Sequence, residues 1–353
     1  MIGSNGIPDP EDAEPFEEET AEDDLWFLPG PDPEEDLPPG AAPEPRRDST
    51  PLFDPAPWAA AQADLAMELA EVAQLYGALD QRLRLAPAGW RQRLALREVS
   101  DLSWWTGDRL GAERIALWVT LRAGSTGDTE RALTRAGWAM RRLTGGAAPG
   151  ADLAGFLGRA RVDTVSGDGH EDALADLEEV FAGGQGLHPV VAAARLFHAW
   201  RALGPPGAVD LEAAVLAACH AAAMARVPGQ GALFLPLAQT GAGALRGQGT
   251  PAEKLAAWLR GAERATLAAL LHLDRVTAWQ QRAEAEIADL SGRTPPALIA
   301  LLAAWPQVSA PMAEAETGAS RAAVQRNLDL LVRRGLIREI TGQGRYRVWA
   351  ARL

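Results

Sequence analysis

ALIALLAAWPQVSAPMAEAETGASRAAVQRNLDLLVRRGLIREITGQGRYRVWAARL, residues 297–353, sets out three helix-forming segments followed by two strand-forming ones. Ala297 to Trp305 reads as a short apolar helix that Pro306 ends. Ser309 is placed to cap a second helix from Pro311 to about Thr317, and Gly318 permits a tight turn after it. Ser320 caps a third helix in which Val324, Leu328 and Leu331 fall on one face. Arg321, Ala322, Gln325, Arg326 and Asp329 are left on the other. Gly335 ends that helix, after which LIREI, TGQG and RYRVWA read as a strand, a Gly-rich turn and a second strand. The order predicts a winged helix-turn-helix over residues 294–353. Glu314 occupies the second-helix position at which a small alanine usually packs against the third helix, so a tilt or shift of that helix is expected.

The chemistry of this module suits a duplex nucleic acid. An α-helix fits the major groove, where arginine and glutamine can pair bidentately with guanine and adenine edges. Ser320, Arg321, Ala322, Gln325 and Arg326 lie at the start of the third helix, the part that meets base edges in such modules. Arg338 on the first strand, and Arg345 and Arg347 on the second, are suited to backbone phosphates. With Tyr346 and Val348 between and after them, Arg345 and Arg347 are expected on one face of the strand. Double-stranded DNA is therefore the expected partner.

Charge is distributed to match. The net charge of −13 conceals 17 Asp/Glu against two Arg in residues 1–57, which makes that segment −15 and the remainder +2. From Ala319 to Leu353 eight Arg face Asp329 and Glu339, a net +6. The acidic segment also holds 13 of the 25 prolines, too many for a helix and too little apolar surface for a core, so disorder is expected there. Within it the apolar island LWFLPG, Leu25 to Gly30, is a candidate contact for a protein partner or for the protein's own surface, against the plainer reading of a solvated tail with incidental aromatics.

From Trp58 the period becomes helical, with Leu65, Leu69, Val72, Tyr76, Leu79 and Leu83 at three- and four-residue steps. Further amphipathic stretches follow near 88–106, 111–123, 129–144, 171–182, 187–203 and 209–226, and no strand pattern interrupts them. A long helix begins at Thr250-Pro251 with Glu253 as the third-position carboxylate, and SGRTPP at 291–296 breaks the pattern before the last module. The fold class expected is mainly α: an acidic tail over 1–57, an all-helical domain over 58–291, and the winged module over 294–353. Trp104, Trp105, Trp118, Trp138, Trp200 and Trp258 all fall in helical patterns and are expected as core filling.

Catalytic and metal-binding readings find little support. His170, His188, His198, His220 and His272 show no short ligand spacing, and no nucleophile motif is present. The lone Cys219 excludes an intrachain disulfide. No cofactor is expected. The N-terminus lacks the basic start and apolar stretch of a secretory signal, and no apolar run is long enough to span a bilayer, so a cytoplasmic protein without membrane contact is expected.

VSAPMAEA and LIREITGQGRYRVWA are similar to the terminal helix-turn-helix of an uncharacterised family of plasmid-associated, rhizobial-type bacterial proteins. LDQRLRLAPAGWRQRLALREVSDLSWWTGDRL resembles the start of that family's helical domain of unknown function, so the likeness runs over residues 57–353. It implies a DNA-binding protein, a transcriptional or plasmid-maintenance regulator. LREVSDLSWWTG and VVAAARLFHAWRALGP also resemble two segments of the Fic family, which transfers AMP to protein hydroxyls. Thr106 stands where the glutamate of the first segment would be, Gly204 where the catalytic histidine would be, and placing His188-Pro189 there instead gives no glycine loop. Without a general base and an anion-holding loop the resemblance implies a Fic-like scaffold without its chemistry, and no enzyme is expected. A nucleotide transferase with an unrecognised site and a helical protein-interaction scaffold are the competing readings, and a homodimer is a further expectation.

The charge asymmetry generates a test. With a charge of −15 beside a basic module, residues 1–57 compete with phosphate or repel it. Deleting them should tighten DNA binding at low salt and matter less at high salt. Unchanged low-salt affinity in a fluorescence-anisotropy titration would contradict this electrostatic role.

Overall fold

The computed structural model describes residues 54–121, 127–145, 149–150, 152–158, 168–204, 210–225, 227–342 and 346–353. The expected tail, up to residue 53, lies outside them. Among the described residues ten α-helices precede the C-terminal module: α1 (Ala56–Asp64), α2 (Ala66–Arg84), α3 (Gly89–Thr106), α4 (Ala112–Leu121), α5 (Gly127–Thr144), α6 (Leu153–Leu157), α7 (Asp168–Gly183), α8 (Pro189–Leu203), α9 (Asp210–Ala221) and α10 (Pro251–Glu286). The module itself runs α11 (Thr294–Ala304), β1 (Val308–Ser309), α12 (Ala310–Thr317), α13 (Arg321–Arg333), β2 (Ile337–Glu339) and β3 (Val348–Ala351). The mainly helical class read from periodicity is the one observed, with a small C-terminal sheet. Among the described residues no helix is long and apolar enough to cross a membrane.

Local chemistry sets the helix limits. Pro55 and Pro57 flank the start of α1, whose Trp58 is buried, so regular structure begins two residues inside the stretch assigned to the tail. α10 starts in a complete capping box: Thr250 accepts from the Glu253 N–H, and the Glu253 carboxylate accepts from the Thr250 N–H at 2.8 Å. Of the six tryptophans expected in the core, Trp138, Trp200 and Trp258 are buried and Trp105 and Trp118 half-buried. Trp104 is a correction, at 58% exposed. It stands two residues, about 200° round the helix, from the buried Leu102, which turns its ring to solvent.

The first core draws on α1 through the first two-thirds of α10. Residues 227–250 form no strand and no α-helix, yet Phe234, Leu235, Leu237 and Ala238 are buried there. A buried connection must have its backbone polar groups satisfied, and two carboxylates serve it. Glu98 Oε1 accepts from the Leu237 and Ala238 N–H groups at 2.8 and 2.9 Å, and Asp80 Oδ1 accepts from the Ala232 N–H at 2.9 Å. The Tyr76 hydroxyl donates to the Ala232 carbonyl at 3.0 Å.

The second core forms between the last third of α10 and the module. Val276, Trp279, Ala283 and Ile287 pack with Leu298, Ile299, Leu302, Val324, Leu328, Leu331, Ile337 and Trp349. Trp279 is fully buried and donates its indole N–H to the Leu336 carbonyl at 2.9 Å, fixing the approach to β2. β3 lies between β1 and β2, antiparallel to both, with Val308 opposite Trp349 and Ile337 opposite Ala351. The change from one core to the other falls inside α10, between Leu273 and Val276, rather than at the 291–296 break.

α3 fastens the two cores together. Arg93, 6% exposed, donates to the Leu302, Ala303 and Trp305 carbonyls at 3.0, 3.2 and 2.6 Å, the open acceptors at the end of α11. Trp90 donates its indole N–H to the Ala303 carbonyl at 3.1 Å. Gly89 makes this approach possible: a Cβ there would meet the Trp305 ring at 2.8 Å and the Ala304 carbonyl oxygen closer still. Arg338 forms an ion pair with Glu113 of α4, and Gln307 donates to the Glu113 carbonyl at 3.5 Å.

Two consequences can be measured. Gly89→Ala should destabilise the protein by about 1–3 kcal/mol, the usual cost of overpacking, because neither the carbonyl nor the wedged indole can yield freely; an unshifted urea midpoint would refute the close approach. Burial pushes the Glu98 carboxyl up to about 7, against the pull of its two N–H donors. Its protonated form is favoured by folding, so its contribution is full below the ordinary value of 4.5 and lost as pH rises through about 7. Glu98→Gln keeps the acceptor and removes the titration. The difference in unfolding free energy between native and variant should therefore drift against the native protein from pH 4.5 to 7; a flat difference would contradict it.

Candidate nucleic-acid interface

Helices α12 and α13 form the helix-turn-helix. The Ser309 hydroxyl accepts from the Met312 N–H at 3.4 Å, and the Ser320 hydroxyl from the Ala323 N–H at 3.4 Å, so both caps expected from the sequence are made. Gly318 ends α12 with φ 62°, the left-handed conformation that lets α13 turn away. Val324, Leu328 and Leu331 are fully buried, which orients the opposite face of α13. The alanine that packs against α13 is Ala313, fully buried in the second core, while Glu314 is half-buried. Glu314 is thus one residue past the packing position assigned to it, and its carboxylate meets no conflict with the core.

The expected site residues separate into three groups. Ser320, Arg321, Ala322 and Arg326 are exposed along the first two turns of α13. Arg321 and Arg326 have no ion pair among the described residues. The second group is already engaged with protein partners: Gln325 is half-buried and donates to Asp329 Oδ1 at 3.0 Å, Arg338 is exposed but paired with Glu113, and Arg347 is held within the module. The Arg347 guanidinium lies 4.9 Å from the Trp349 ring centroid, 3.4 Å from Asp329 and 3.9 Å from Glu339. Arg345 falls outside the described residues.

Two features of the strand reading are corrected. β3 begins at Val348, and Tyr346 has φ 58°, so the alternation expected across Arg345, Tyr346 and Arg347 does not extend that far. Tyr346 projects instead, 78% exposed, from the end of the hairpin. Its place between two arginines in a strand-like pattern gives no sequence signal for that exposure. Arg333, in the last turn of α13 and beyond the turns that meet base edges in such modules, is exposed as well. Glu339 holds the turn after β2 by accepting from the Thr341 and Gly342 N–H groups at 2.8 and 2.9 Å.

Other candidate chemistry lies apart from this surface. His188 caps α8 through Nδ1, which accepts from the Val190 N–H at 3.3 Å, and Gly204 ends the same helix; residues 205–209 are outside the described set. The Thr106 hydroxyl donates to the Ser103 carbonyl at 3.3 Å. Burial pushes His198 and His272 down to about 3 and His220 to about 4, and the His170 side chain is outside the described set. Among the described residues no three His, Cys, Asp or Glu side chains gather as a metal site.

Residues 295–351, from α11 to the end of β3, match a protein family described as an HTH DNA binding domain. The chain therefore carries a C-terminal helix-turn-helix DNA-binding domain. No curated protein matches the chain.

The inward position of Arg347 has a measurable cost. Arg347→Ala removes a stacked guanidinium that is 32% exposed and leaves Asp329 and Glu339 without it, so stability should fall by about 1 kcal/mol. A urea midpoint equal to that of the native protein would show that the guanidinium is not held there.

Proposed function

We propose that the protein is a sequence-specific DNA-binding regulator, acting in transcription or plasmid maintenance, that reads the major groove with α13. The observation that carries this reading is the exposed row Arg321, Ala322 and Arg326 at the start of a helix whose other face is locked into a core. The N-terminus of α13 adds backbone N–H groups and a favourable dipole end for a phosphate. In this reading the β2–β3 hairpin is a wing: Arg345 and Tyr346 follow the backbone beside the groove, and Arg338 exchanges Glu113 for phosphate when DNA is bound. Gln325 reads a base only after leaving Asp329. The protein works in the cytoplasm and transfers no nucleotide, since neither Thr106 nor Gly204 supplies a general base. Two copies would set two recognition helices on successive major grooves, about 34 Å apart.

Salt-titrated binding to selected and scrambled duplexes tests these roles. Arg321→Ala and Arg326→Ala should each cost about 1–3 kcal/mol at the selected site and relax discrimination there. Arg345→Ala should weaken all sequences alike and reduce the log-affinity against log-salt slope by about one unit. If the helix variants left sequence preference intact while the wing variant changed it, the roles would be reversed. Binding unaffected by all three would remove the reading.

A further inference from the structure

Helix α10 buries one side along its length and leaves the other bare. Ala262, Ala269 and Val276, seven residues apart, are buried. On the opposite side Arg260, Arg264, Leu267, Leu271, Asp274 and Ala278 are exposed, at alternating four- and three-residue steps. That spacing is the seam of a two-helix pairing. Leu267 and Leu271, one turn apart at the middle of the row, are 45% and 49% exposed. Single surface leucines need no partner, but two neighbours in a row of seam spacing make a patch that favours burial.

The chemistry of the row selects what covers it. Counted equally far before and after Ala269, its members pair as Leu267 with Leu271, Arg264 with Asp274, and Arg260 with Ala278. A second copy running antiparallel across this face therefore sets Leu267 beside the partner's Leu271, Arg264 beside the partner's Asp274, and the long Arg260 beside the small side chain of the partner's Ala278. Each contact occurs twice, because a twofold interface is isologous. A parallel copy would instead oppose arginine to arginine and aspartate to aspartate, which is repulsive. Within one chain the Arg264 Nε donates to the Arg260 carbonyl at 3.2 Å, and Arg264 has no ion pair among the described residues. Asp274 is paired through Oδ1 with Arg82 at 2.6 Å, yet its side chain is 60% exposed and open to a second cation.

We propose that two copies of the chain associate antiparallel through this face of α10, about a twofold axis level with Ala269. The C-terminal module packs on Val276 to Ile287, whose middle lies about 19 Å along the helix from that axis, so the two modules stand about 38 Å apart along α10. Half-sites one turn of duplex apart are separated by about 34 Å. The pairing thus supplies the spacing that two recognition helices need. That half of the inference deepens the proposed function and rests on it, whereas the pairing itself does not. A seam of two leucines per copy flanked by exposed charges belongs to the small, reversible class of interfaces.

Sedimentation velocity of the full chain between about 1 and 100 µM, where weak interfaces are partly formed, tests the pairing. A concentration-dependent shift from monomer to dimer is expected. Leu271→Glu, at an exposed position, should leave a monomer throughout. Arg264→Asp should weaken the dimer about tenfold by opposing two carboxylates at each end, and adding Asp274→Arg should restore it to within about threefold, the remainder reflecting the lost Arg82 bridge. Circular-dichroism melts establish that each variant folds; should Leu271→Glu fail to, the charge exchange decides. A native chain that stays monomeric, its face bare or taken by another occupant, would overturn the pairing. So would a dimer left intact by Leu271→Glu, or a double variant no tighter than Arg264→Asp. For the DNA half, Leu271→Glu should bind a single selected half-site as the native protein does and lose at least about tenfold on two half-sites one turn apart; equal affinities on the paired site would overturn that half. A native chain that bound no duplex would count against the proposed function, and sedimentation would still decide the interface.

Discussion

A buried guanidinium must face concentrated negative potential, and Arg93 finds it in the last carbonyls of α11. Burial lowers its pKa only to about 10, so the group stays charged at neutral pH and the attraction to the helix end is retained. The bond pattern joins two separately packed cores through backbone atoms, whose positions do not depend on side-chain rotamers. The neighbouring contacts extend the same joint: Trp90 packs against both cores, and Gly89 lets the turn after α11 come into contact with α3. The exposed row on α13 is held, through the second core and α11, by a charge that lies far from it in the sequence.

The same economy of polar groups governs the rest of the helical part. A long buried connection is normally a liability, because its peptide groups cannot all find partners. Here Asp80, Glu98 and Tyr76, carried on α2 and α3, serve residues 232, 237 and 238 directly. The segment is thereby fixed in place without secondary structure of its own, and α10 begins from it with a fully made cap.

Much of this was legible from residue patterns. The caps at Thr250, Ser309 and Ser320, and the stripe of Val324, Leu328 and Leu331, depend on neighbours three or four positions apart, and these local rules held. What depended on distant neighbours did not show. Arg338 and Arg347 have the composition of phosphate ligands, but their surroundings include Glu113, Asp329, Glu339 and Trp349, which only the folded chain brings together. Trp104 shows the limit of a class argument, since an aromatic in a helical pattern is buried only if its own angle on the helix faces the core. The one-residue displacement from Glu314 to Ala313 reflects the same dependence on helix phase.

The 36-residue span of α10, about 54 Å at the usual helical rise, gives it a place in both cores. The sequence break at 291–296 is therefore a bend in the chain path but not a seam in the packing. A fragment cut at that break would lose Val276, Trp279, Ala283 and Ile287, leaving the inner faces of α11 and α13 open to water. Any transplantable unit must carry the last third of α10 with it. A continuous rod shared by two cores also makes their unfolding a joint event: fraying at one end removes the wall on which the other end's neighbours rest, so the melting of the two halves is mechanically and thermodynamically linked.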